Sequence, residues 1–364
     1  MGVRQLIEKP SREVEITEID EELRELLEQR KTRIKVIGVG GAGNNTVTRL
    51  MQVGIAGAET VAVNTDAMDL LYTYADKKLL VGKELTGGLG AGANHKLGME
   101  SAKENREEIK KILKEADMLF LTCGLGGGTG TGATPVIAET AKKMGILTVG
   151  IVTLPFAMEG RQRTINAREG LANLEGVVDT LIVIPNDKLL EIVPDVSLSI
   201  AFKICDEILV NAVKGTTELI TKPGLVNLDF ADIKAVMGNG GLAMIGMGES
   251  DTENRAFESV EKALTNPLLT VDITNASGAL INVIGGPDMT IREAQQIVEA
   301  VSTKLSTDAK IIWGSTIDKS LGNSIRAMLI ITGVKSPQIF GPEKLWTKEK
   351  KKDIETILGV EFIE

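Results

Sequence analysis

The chain has 364 residues, a net charge of −9 and an apolar share of 43%, values that are typical of a soluble globular protein large enough for two cores. The negative charge argues against a broad nucleic-acid surface, so we expect no nucleic-acid partner. Because no stretch predicts a membrane span or a secretory signal, we expect a cytoplasmic protein without direct membrane insertion. One histidine and two cysteines argue against a multi-histidine metal site, a Ser-His-Asp triad and a disulfide framework.

Residues 1–31 form the first predicted segment, an amphipathic helix added before the body of the protein. Its apolar residues have helical spacing: Ile16, Ile19, Leu23 and Leu26. The pattern is short for a coiled coil, so we expect this helix to pack on the body.

The first glycine-rich loop, residues 38–45, follows a strand predicted over 33–37 and precedes a helix predicted from about Thr46. Its glycines at 38, 40 and 43 match the G-x-G-x-x-G dinucleotide fingerprint. By itself this motif also fits an NAD-dependent oxidoreductase, in which Asp66, after a strand predicted over 59–63, would bind the ribose.

Two more glycine-rich loops follow. Residues 87–94 precede a helix predicted over 98–114, and six glycines lie within residues 124–132, between an apolar strand and a helix predicted from Val136. Glycine allows close approach to backbone N–H groups, and a helix N-terminus favours an anion. We therefore predict a phosphate site formed mostly by backbone, since a tight strand-to-helix turn, the alternative, needs fewer glycines.

Strands predicted over 147–153 and 180–185 flank a helix predicted over 162–174. Strands alternating with helices predict a parallel sheet covered on both faces, and ligands of such sheets bind at the carboxyl ends of the strands. Three glycine loops would converge there, which favours a nucleotide with a long phosphate chain over the NAD alternative.

A long helix is predicted over 197–220, because its apolar residues recur at helical spacing. A loop predicted over 225–233 carries Asp229 and Asp232. The segments after it indicate a separate α+β domain: 241–249, 253–264, 278–285, 291–305, 311–315 and 325–332.

The segment Gly-Gly-Gly-Thr-Gly-Thr-Gly at 126–132 resembles the signature loop of the tubulin/FtsZ superfamily. The chain is identified as a member of the FtsZ family, of the archaeal type, because further motifs follow the family's order over 32–335. These motifs are residues 38–45, 64–67, 89–94, 155–161, 227–232, 241–248 and 279–286.

The resemblance implies the tubulin/FtsZ fold, in which a Rossmann-like parallel-sheet GTPase domain is joined by a long central helix to a smaller α+β domain. The implied parts are an N-terminal extension (1–31), a GTP-binding domain (32–196), the central helix (197–220), a C-terminal domain with the synergy loop (221–335) and a charged tail (336–364).

The resemblance also implies the nucleotide site. Glu159 and Arg163 would hold the ribose. Asn186 and Asp206 would bind guanine, with Phe202 against the base. The phosphate side would comprise Gly38, Gly40, Gly41, Ala42, Gly43, Asn44, Asn45, Asp66, Ala91, Gly92, Asn94, Gly126, Gly127, Gly128, Thr129, Gly130, Thr131 and Gly132. Phe202 and Asp206 are four residues apart and so share a helix face, although a core Phe beside an exposed Asp is the ordinary alternative.

The phosphate loops predict a cofactor. Neither 38–45 nor 124–134 contains Lys or Arg, and two helix N-termini supply only about one positive charge together. Mg²⁺ is therefore expected with GTP or GDP. No direct protein ligand is assigned to the metal.

The predicted helix over 197–220 spans about 36 Å at 1.5 Å per residue, so Asp229 and Asp232 are expected too far from their own subunit's γ-phosphate. By the resemblance they would orient the attacking water in the next subunit's site, assisted by Asn227. Head-to-tail contacts of this kind produce filaments. A solvated loop or a helix cap is the usual alternative for an Asp-x-x-Asp pair.

The resemblance thus implies a GTPase, activated by self-assembly, whose head-to-tail filaments form the cell-division ring at mid-cell. Membrane-tethering and regulatory division proteins are expected partners, for which residues 353–364 are either a compact binding segment or a helix packed on the second domain. A filament protein for cell shape and the NAD-dependent oxidoreductase are the alternative functions.

Overall fold

The computed structural model describes residues 32–188, 197–221, 224–226, 228–265 and 271–336. The predicted helix in 1–31, residues 337–364 of the predicted tail and Asn227 lie outside them. Within the described ranges, no helix is both long and apolar enough to cross a membrane.

The first half of the described chain is a parallel sheet with alternating helices. Its strands pair in the order β3-β2-β1-β4-β5-β6, as in dinucleotide-binding folds. The strands are β1 (Ile34–Val39), β2 (Ala58–Asn64), β3 (Lys77–Leu80), β4 (Met118–Gly124), β5 (Leu147–Leu154) and β6 (Thr180–Pro185). The helices are α1 (Gly40–Val53), α2 (Ala67–Tyr72), α3 (Lys83–Thr86), α4 (His95–Glu104), α5 (Arg106–Leu113), α6 (Thr129–Lys143) and α7 (Arg161–Glu175).

The second half continues the same sheet. Strand β7 (Gly241–Ser250) pairs in parallel with β6, and the order then runs β7-β10-β8-β9. Strand β10 (Ile325–Thr332) is antiparallel to both of its neighbours, β7 and β8 (Gly278–Gly285), whereas β9 (Lys310–Ile317) is parallel to β8. The remaining helices of this half are α10 (Arg255–Leu264) and α11 (Ile291–Ser302).

Two helices connect the halves, α8 (Leu198–Thr221) and α9 (Phe230–Met237). Helix α8 runs in the same direction as α1, because Glu207 pairs with Arg49 near the middle of α1 while Thr221 donates a 3.2 Å hydrogen bond to the carbonyl of Ala56, beyond its end. Residues of α1 and α8 share one core cluster, and residues of α5, α6 and α7 belong to another. The first-half sheet therefore has helices on both faces, as predicted.

Several boundaries differ from the predictions. Helix α1 begins at Gly40 rather than about Thr46, and α6 begins at Thr129 and contains Pro135 rather than beginning at Val136. The predicted helix over 98–114 is two helices that meet at Asn105. The loop predicted over 225–233 ends early because α9 begins within it. The short elements α2, β3 and α3 were not predicted.

The early helix starts have a common physical reason. Glycine is a poor helix former, so a glycine-rich segment predicts a loop. Here the first turns of α1 and α6 contain those glycines and have no side-chain cap. Their N–H groups are therefore available to an external acceptor.

Two glycines of the first loop are needed for packing. A Cβ atom on Gly43 would overlap the carbonyl oxygen of Thr122 in β4, and one on Gly38 would overlap the carbonyl oxygen of Gly43. These glycines let α1 lie directly on β1 and β4, which fixes where its first turn points.

We predict that Gly43→Ala destabilises the protein by about 2 kcal/mol or more, because overpacking against a backbone atom cannot be relieved by a rotamer change. Urea unfolding measures the change. Gly176→Ala is the matched control, since Gly176 has helical φ and ψ and open space around it, and it should be neutral or slightly stabilising. Equal stability of both variants would contradict the packing role of Gly43.

Candidate functional site

A cavity of about 340 Å³ lies at the carboxyl ends of the first-half strands. Residues that follow β1, β4, β5 and β6 all contribute to it, together with the N-terminal half of α8. Its lining consists of Val39, Gly40, Gly41, Ala42, Gly92, Gly124, Leu125, Gly127, Gly128, Thr129, Gly130, Thr153, Pro155, Glu159, Arg163, Asn186, Phe202, Cys205, Asp206 and Leu209. This is the position where parallel α/β sheets bind ligands.

One end of the cavity is a cradle of backbone N–H groups. The first turns of α1 and α6 meet there, since a Cβ atom on Gly40 would lie 2.9 Å from the backbone nitrogen of Gly130. Gly40 has φ +71°, a conformation that favours glycine. Two uncapped helix N-termini that face one cavity provide donors and positive potential for an anion such as a phosphate chain.

The glycine loop at 87–94 is bonded to this cradle. The N–H of Gly128 donates to the carbonyl of Gly92 at 2.8 Å. The side chain of Asn166, on α7, donates to the carbonyls of Ala93 at 2.8 Å and Gly126 at 3.3 Å. Asn94 caps α4 by accepting from two backbone N–H groups. The loops at 87–94 and 124–132 are therefore hydrogen-bonded to each other beside the first turn of α1, which lies against Gly130.

The cavity contains little net positive charge. Among the described residues that line the cavity, Arg163 is the one lysine or arginine. Its Nη1 atom lies 2.6 Å from Oε2 of Glu159. The other oxygen of Glu159 accepts from the N–H of Phe156 at 3.0 Å. The single cation is thus already neutralised by its neighbour.

The far end of the cavity combines an aromatic ring with polar groups. Phe202 is 41% exposed and packs edge-on against buried Phe156, with ring centroids 5.3 Å apart. One turn further along α8, burial and the nearby charge of Glu207 raise the pKa of Asp206 to about 6. Oδ1 of the buried Asn186 has no hydrogen-bond partner among the described residues. A ligand with a planar ring and a polar edge would contact the ring of Phe202 and form hydrogen bonds with Asp206 and Asn186.

Cys205 also lines the cavity, but its thiol is unreactive. Burial, followed by the negative charges of Asp206 and Glu159, raises the pKa of Cys205 to about 12. A neutral thiol is a weak nucleophile. Cys205 instead packs in one apolar cluster with Phe156.

The structure therefore brings together most of the predicted site residues, and it also shows which ones lie outside the cavity lining. Gly38, Gly43 and Gly132 occupy close-packing positions, where a Cβ atom would overlap backbone. Asn45 lies in an adjoining groove that also borders Asp206. The other predicted residues outside the lining are Asn44, Asp66, Ala91, Asn94, Gly126 and Thr131.

The acid pair is remote from the cavity. Asp229 directly precedes α9 and Asp232 is in its first turn, and both are exposed. The N–H of Asp229 donates to Oδ2 of Asp232 at 3.4 Å. The end of α9 is held at the amino end of β6, where the hydroxyl of Thr180 donates to the carbonyl of Met237 at 2.6 Å. The cavity is at the opposite, carboxyl end of β6.

Two residues near the cavity were not predicted from the sequence. Asn166 joins two glycine loops, and Asp69 lies beside Gly41, where a Cβ atom would be 3.8 Å from Oδ2 of Asp69. A buried polar residue on an otherwise amphipathic helix was the available signal for Asn166. For Asp69 there was none, since its position depends on the unpredicted helix α2.

Comparison with known proteins agrees with this geometry. The chain matches the family model "Tubulin/FtsZ family, GTPase domain" over residues 33–194 and the model "FtsZ family, C-terminal domain" over residues 241–335. Cell division protein FtsZ 1 of Methanocaldococcus jannaschii is 61% identical over 324 residues, which is 89% of each protein.

Solved structures show the same relationship. An empty FtsZ dimer from M. jannaschii, 61% identical, matches with a TM-score of 0.83 over 87% of this chain and 92% of that chain. The GDP-bound monomer of CetZ1 from Haloferax volcanii, 25% identical, matches with a TM-score of 0.75 over 90% of this chain and 100% of that chain.

Proposed function

The chain belongs to the FtsZ family of tubulin-related cell-division GTPases, and we propose that its cavity holds GTP and that hydrolysis occurs where two copies meet. Family membership makes it a guanine-nucleotide-binding GTPase of cell division. Family membership excludes the alternative of an NAD-dependent oxidoreductase, and it indicates a role in cell division rather than in cell shape. The assignment of roles to individual residues is our proposal.

The observation that carries this proposal is the meeting of two uncapped helix N-termini in a cavity that also has an aromatic ring and a carboxylate at its other end. The cradle from Gly40 to Ala42 and from Gly127 to Gly130 would bind the phosphates. Phe202 would contact the face of guanine, and Asp206 would accept from its N–H donors. Asn186, whose Oδ1 has no partner in the described part of the chain, would bind the polar edge.

The ribose would lie between these ends. Glu159 and Arg163 are on the wall that follows β5, and their ion pair holds both side chains in place. The Glu159 carboxylate can accept from a ribose hydroxyl, and the guanidinium can donate to a ring or phosphate oxygen. Binding there would also give a partner to N–H donors of the half-exposed Arg163 that its ion pair with Glu159 does not use.

The donor set of the cradle fits a magnesium complex of the nucleotide. Backbone N–H groups and one neutralised arginine do not balance the several negative charges of a triphosphate. Bound Mg²⁺ would supply that positive charge and stabilise the developing charge on the phosphates. No cluster of three or more His, Cys, Asp or Glu side chains in the described ranges could hold a metal without the nucleotide.

The remote acid pair favours a site shared between copies. Asp229 and Asp232 are exposed at the start of α9, which follows the C-terminal end of α8, whereas the N-terminal half of α8 lines the cavity. In a head-to-tail arrangement they would enter the next copy's cavity and orient the attacking water, assisted by Asn227. Such contacts propagate into a filament because they do not close.

Helix α2, which adjoins the cradle at Gly41, and the loop at 87–94, which contributes Gly92 to the cavity, carry exposed apolar side chains suited to this contact. Five large apolar side chains between β2 and α4 are more than 60% exposed, namely Met68, Leu71, Tyr72, Tyr74 and Leu89, with Leu89 at 86%. Apolar patches of this kind mark protein interfaces. A second copy placed here would cover them and bring its acid pair towards the phosphates.

In the cell, we propose a cytoplasmic protein whose filaments form a ring at the mid-cell division site. Tethering of such filaments to the membrane requires partner proteins of division, whose identity is open, as is that of the regulatory partners. No direct insertion of this chain into the membrane is proposed.

The first test is the dependence of GTP hydrolysis on protein concentration. A shared site predicts that phosphate release per subunit rises steeply across the assembly threshold, since isolated subunits lack the acid pair of a neighbour. Sedimentation with GTP and with GDP locates the threshold. Activity per subunit that is constant over this range would disprove the shared site.

The second test separates binding from hydrolysis. Asp232→Ala should bind GTP and sediment as the wild type does, yet hydrolyse GTP about a hundredfold or more slowly, as is typical for loss of a group that activates water. Glu107→Ala removes an exposed acid on α5 and should hydrolyse normally. Loss of GTP binding in folded Asp232→Ala would show that this acid supports its own subunit's cavity instead.

The third test uses the pKa of about 6 at Asp206. Only the charged carboxylate accepts from both guanine donors, so GTP affinity should be constant above pH 7 and fall by up to about tenfold per pH unit below pH 6. Asp206→Asn should bind at least about tenfold more weakly and lose this part of the pH dependence, while phosphate protonation affects both proteins alike. Glu207→Gln should move the midpoint to lower pH, because the charge of Glu207 raises the pKa of Asp206. Identical pH profiles in wild type and Asp206→Asn would contradict the assignment.

A further inference from the structure

A carboxylate lies where the phosphates are expected to bind. Asp69 is in the first turn of α2, and its Oδ2 would be 3.8 Å from a Cβ atom on Gly41. Gly41 lines the cavity at the first turn of α1. An acid at this position is unexpected, because an uncompensated carboxylate repels the ligand that the cradle attracts.

The orientation of Asp69 is fixed by Asn64. The side-chain oxygen of Asn64 accepts from the N–H groups of Thr65 at 2.9 Å and Asp66 at 3.3 Å. Its amide nitrogen must therefore point the other way, where it donates to Oδ2 of Asp69 at 2.5 Å. The acid is held beside the cradle by a donor that cannot rotate away.

Asn44 supplies a second, independent observation. This residue is fully buried on α1, and its amide nitrogen donates to the same Oδ2 of Asp69 at 3.4 Å. Its own Oδ1 has no partner among the described residues. The amide of Asn44 therefore holds the carboxylate of Asp69 from a second side, and carboxylate oxygens are ligands that hard divalent cations prefer.

The nearby Asp66 has a different task. Its Oδ1 accepts from the N–H groups of Met68 and Asp69 and so caps α2. Its Oδ2 is near Gly90, where a Cβ atom would be 3.5 Å away. Of the two acids on this segment, Asp69 is the one that faces Gly41.

We infer that Asp69 makes nucleotide binding depend on a divalent cation, because its carboxylate beside Gly41 would repel a phosphate chain in the cradle unless a bound cation accompanied it. This inference rests on the proposed function, since it needs a phosphate chain in the cradle. Asn64 and Asn44 act as positioning residues that hold the acid. The cluster thereby selects the magnesium complex over the free nucleotide.

The test measures equilibrium binding of GTPγS below the assembly threshold, in excess Mg²⁺ and in EDTA. For the wild type, the dissociation constant in EDTA should exceed that in Mg²⁺. Asp69→Asn should reduce this ratio by about fivefold or more, the lower range of typical coupling between two ligands. Part of the reduction must come from tighter binding in EDTA, since the repulsion is removed.

Tighter binding of GTPγS by Asp69→Asn in EDTA distinguishes the inferred role from general damage to the site, because damage weakens the binding of metal-free nucleotide. Asp69→Ala provides a second neutral variant, with folding of both verified by circular dichroism. Glu84→Gln, which removes an exposed acid from the first turn of α3, should leave both constants unchanged. An unchanged ratio, or weaker binding in both conditions, would overturn the role of Asp69. Absence of GTPγS binding by the wild type would instead overturn the proposed function.

Discussion

The close approach of two helix N-termini is the constraint on which the rest of this structure depends. The first turns of α1 and α6 can meet only where Gly40 and Gly130 leave no side chain between them. Their approach requires β1 and β4 to be neighbours in the sheet, and it requires Gly43 to let α1 lie on β4. The positive potential of a helix start is short-ranged, so small displacements of either helix would remove the anion site. The packing of the sheet is thus part of the chemistry of the cavity.

A cradle made from backbone has a consequence for charge. It provides direction and hydrogen bonds but few positive charges, and the one arginine of the cavity is paired with Glu159. Negative side chains can be tolerated at its border only when a cation accompanies the ligand. This requirement explains the position of Asp69 next to Gly41. Because of this acid, the metal ion and the nucleotide would bind together as one complex.

The regular elements could largely be predicted from the sequence, whereas the site could be predicted only in part. Strand β6 was predicted with its observed bounds, and β8 and β10 coincide with two predicted segments of the second half, because buried apolar runs between turns are a strong local signal. The starts of α1 and α6 were predicted wrongly because glycine indicates a loop, although a glycine-rich first turn is what an anion site needs. Asp69 could not be predicted, since its contact with Gly41 depends on how the six-residue helix α2 folds back after β2.

The geometry of α8 links catalysis to assembly. Phe202 and Asp206 lie on its N-terminal half at the cavity, while its C-terminal end leads to α9 and the exposed acids. Because α8 is a rigid helix, the exposed acids beyond its C-terminal end lie far from the nucleotide cavity of their own subunit. In the proposed function, two stacked subunits would complete the site, with the cradle from one and the acids from the other. Hydrolysis would then occur only at a filled junction, and the same event would change the charge at the contact that holds the filament together. In such a design the nucleotide serves both as substrate and as part of the interface.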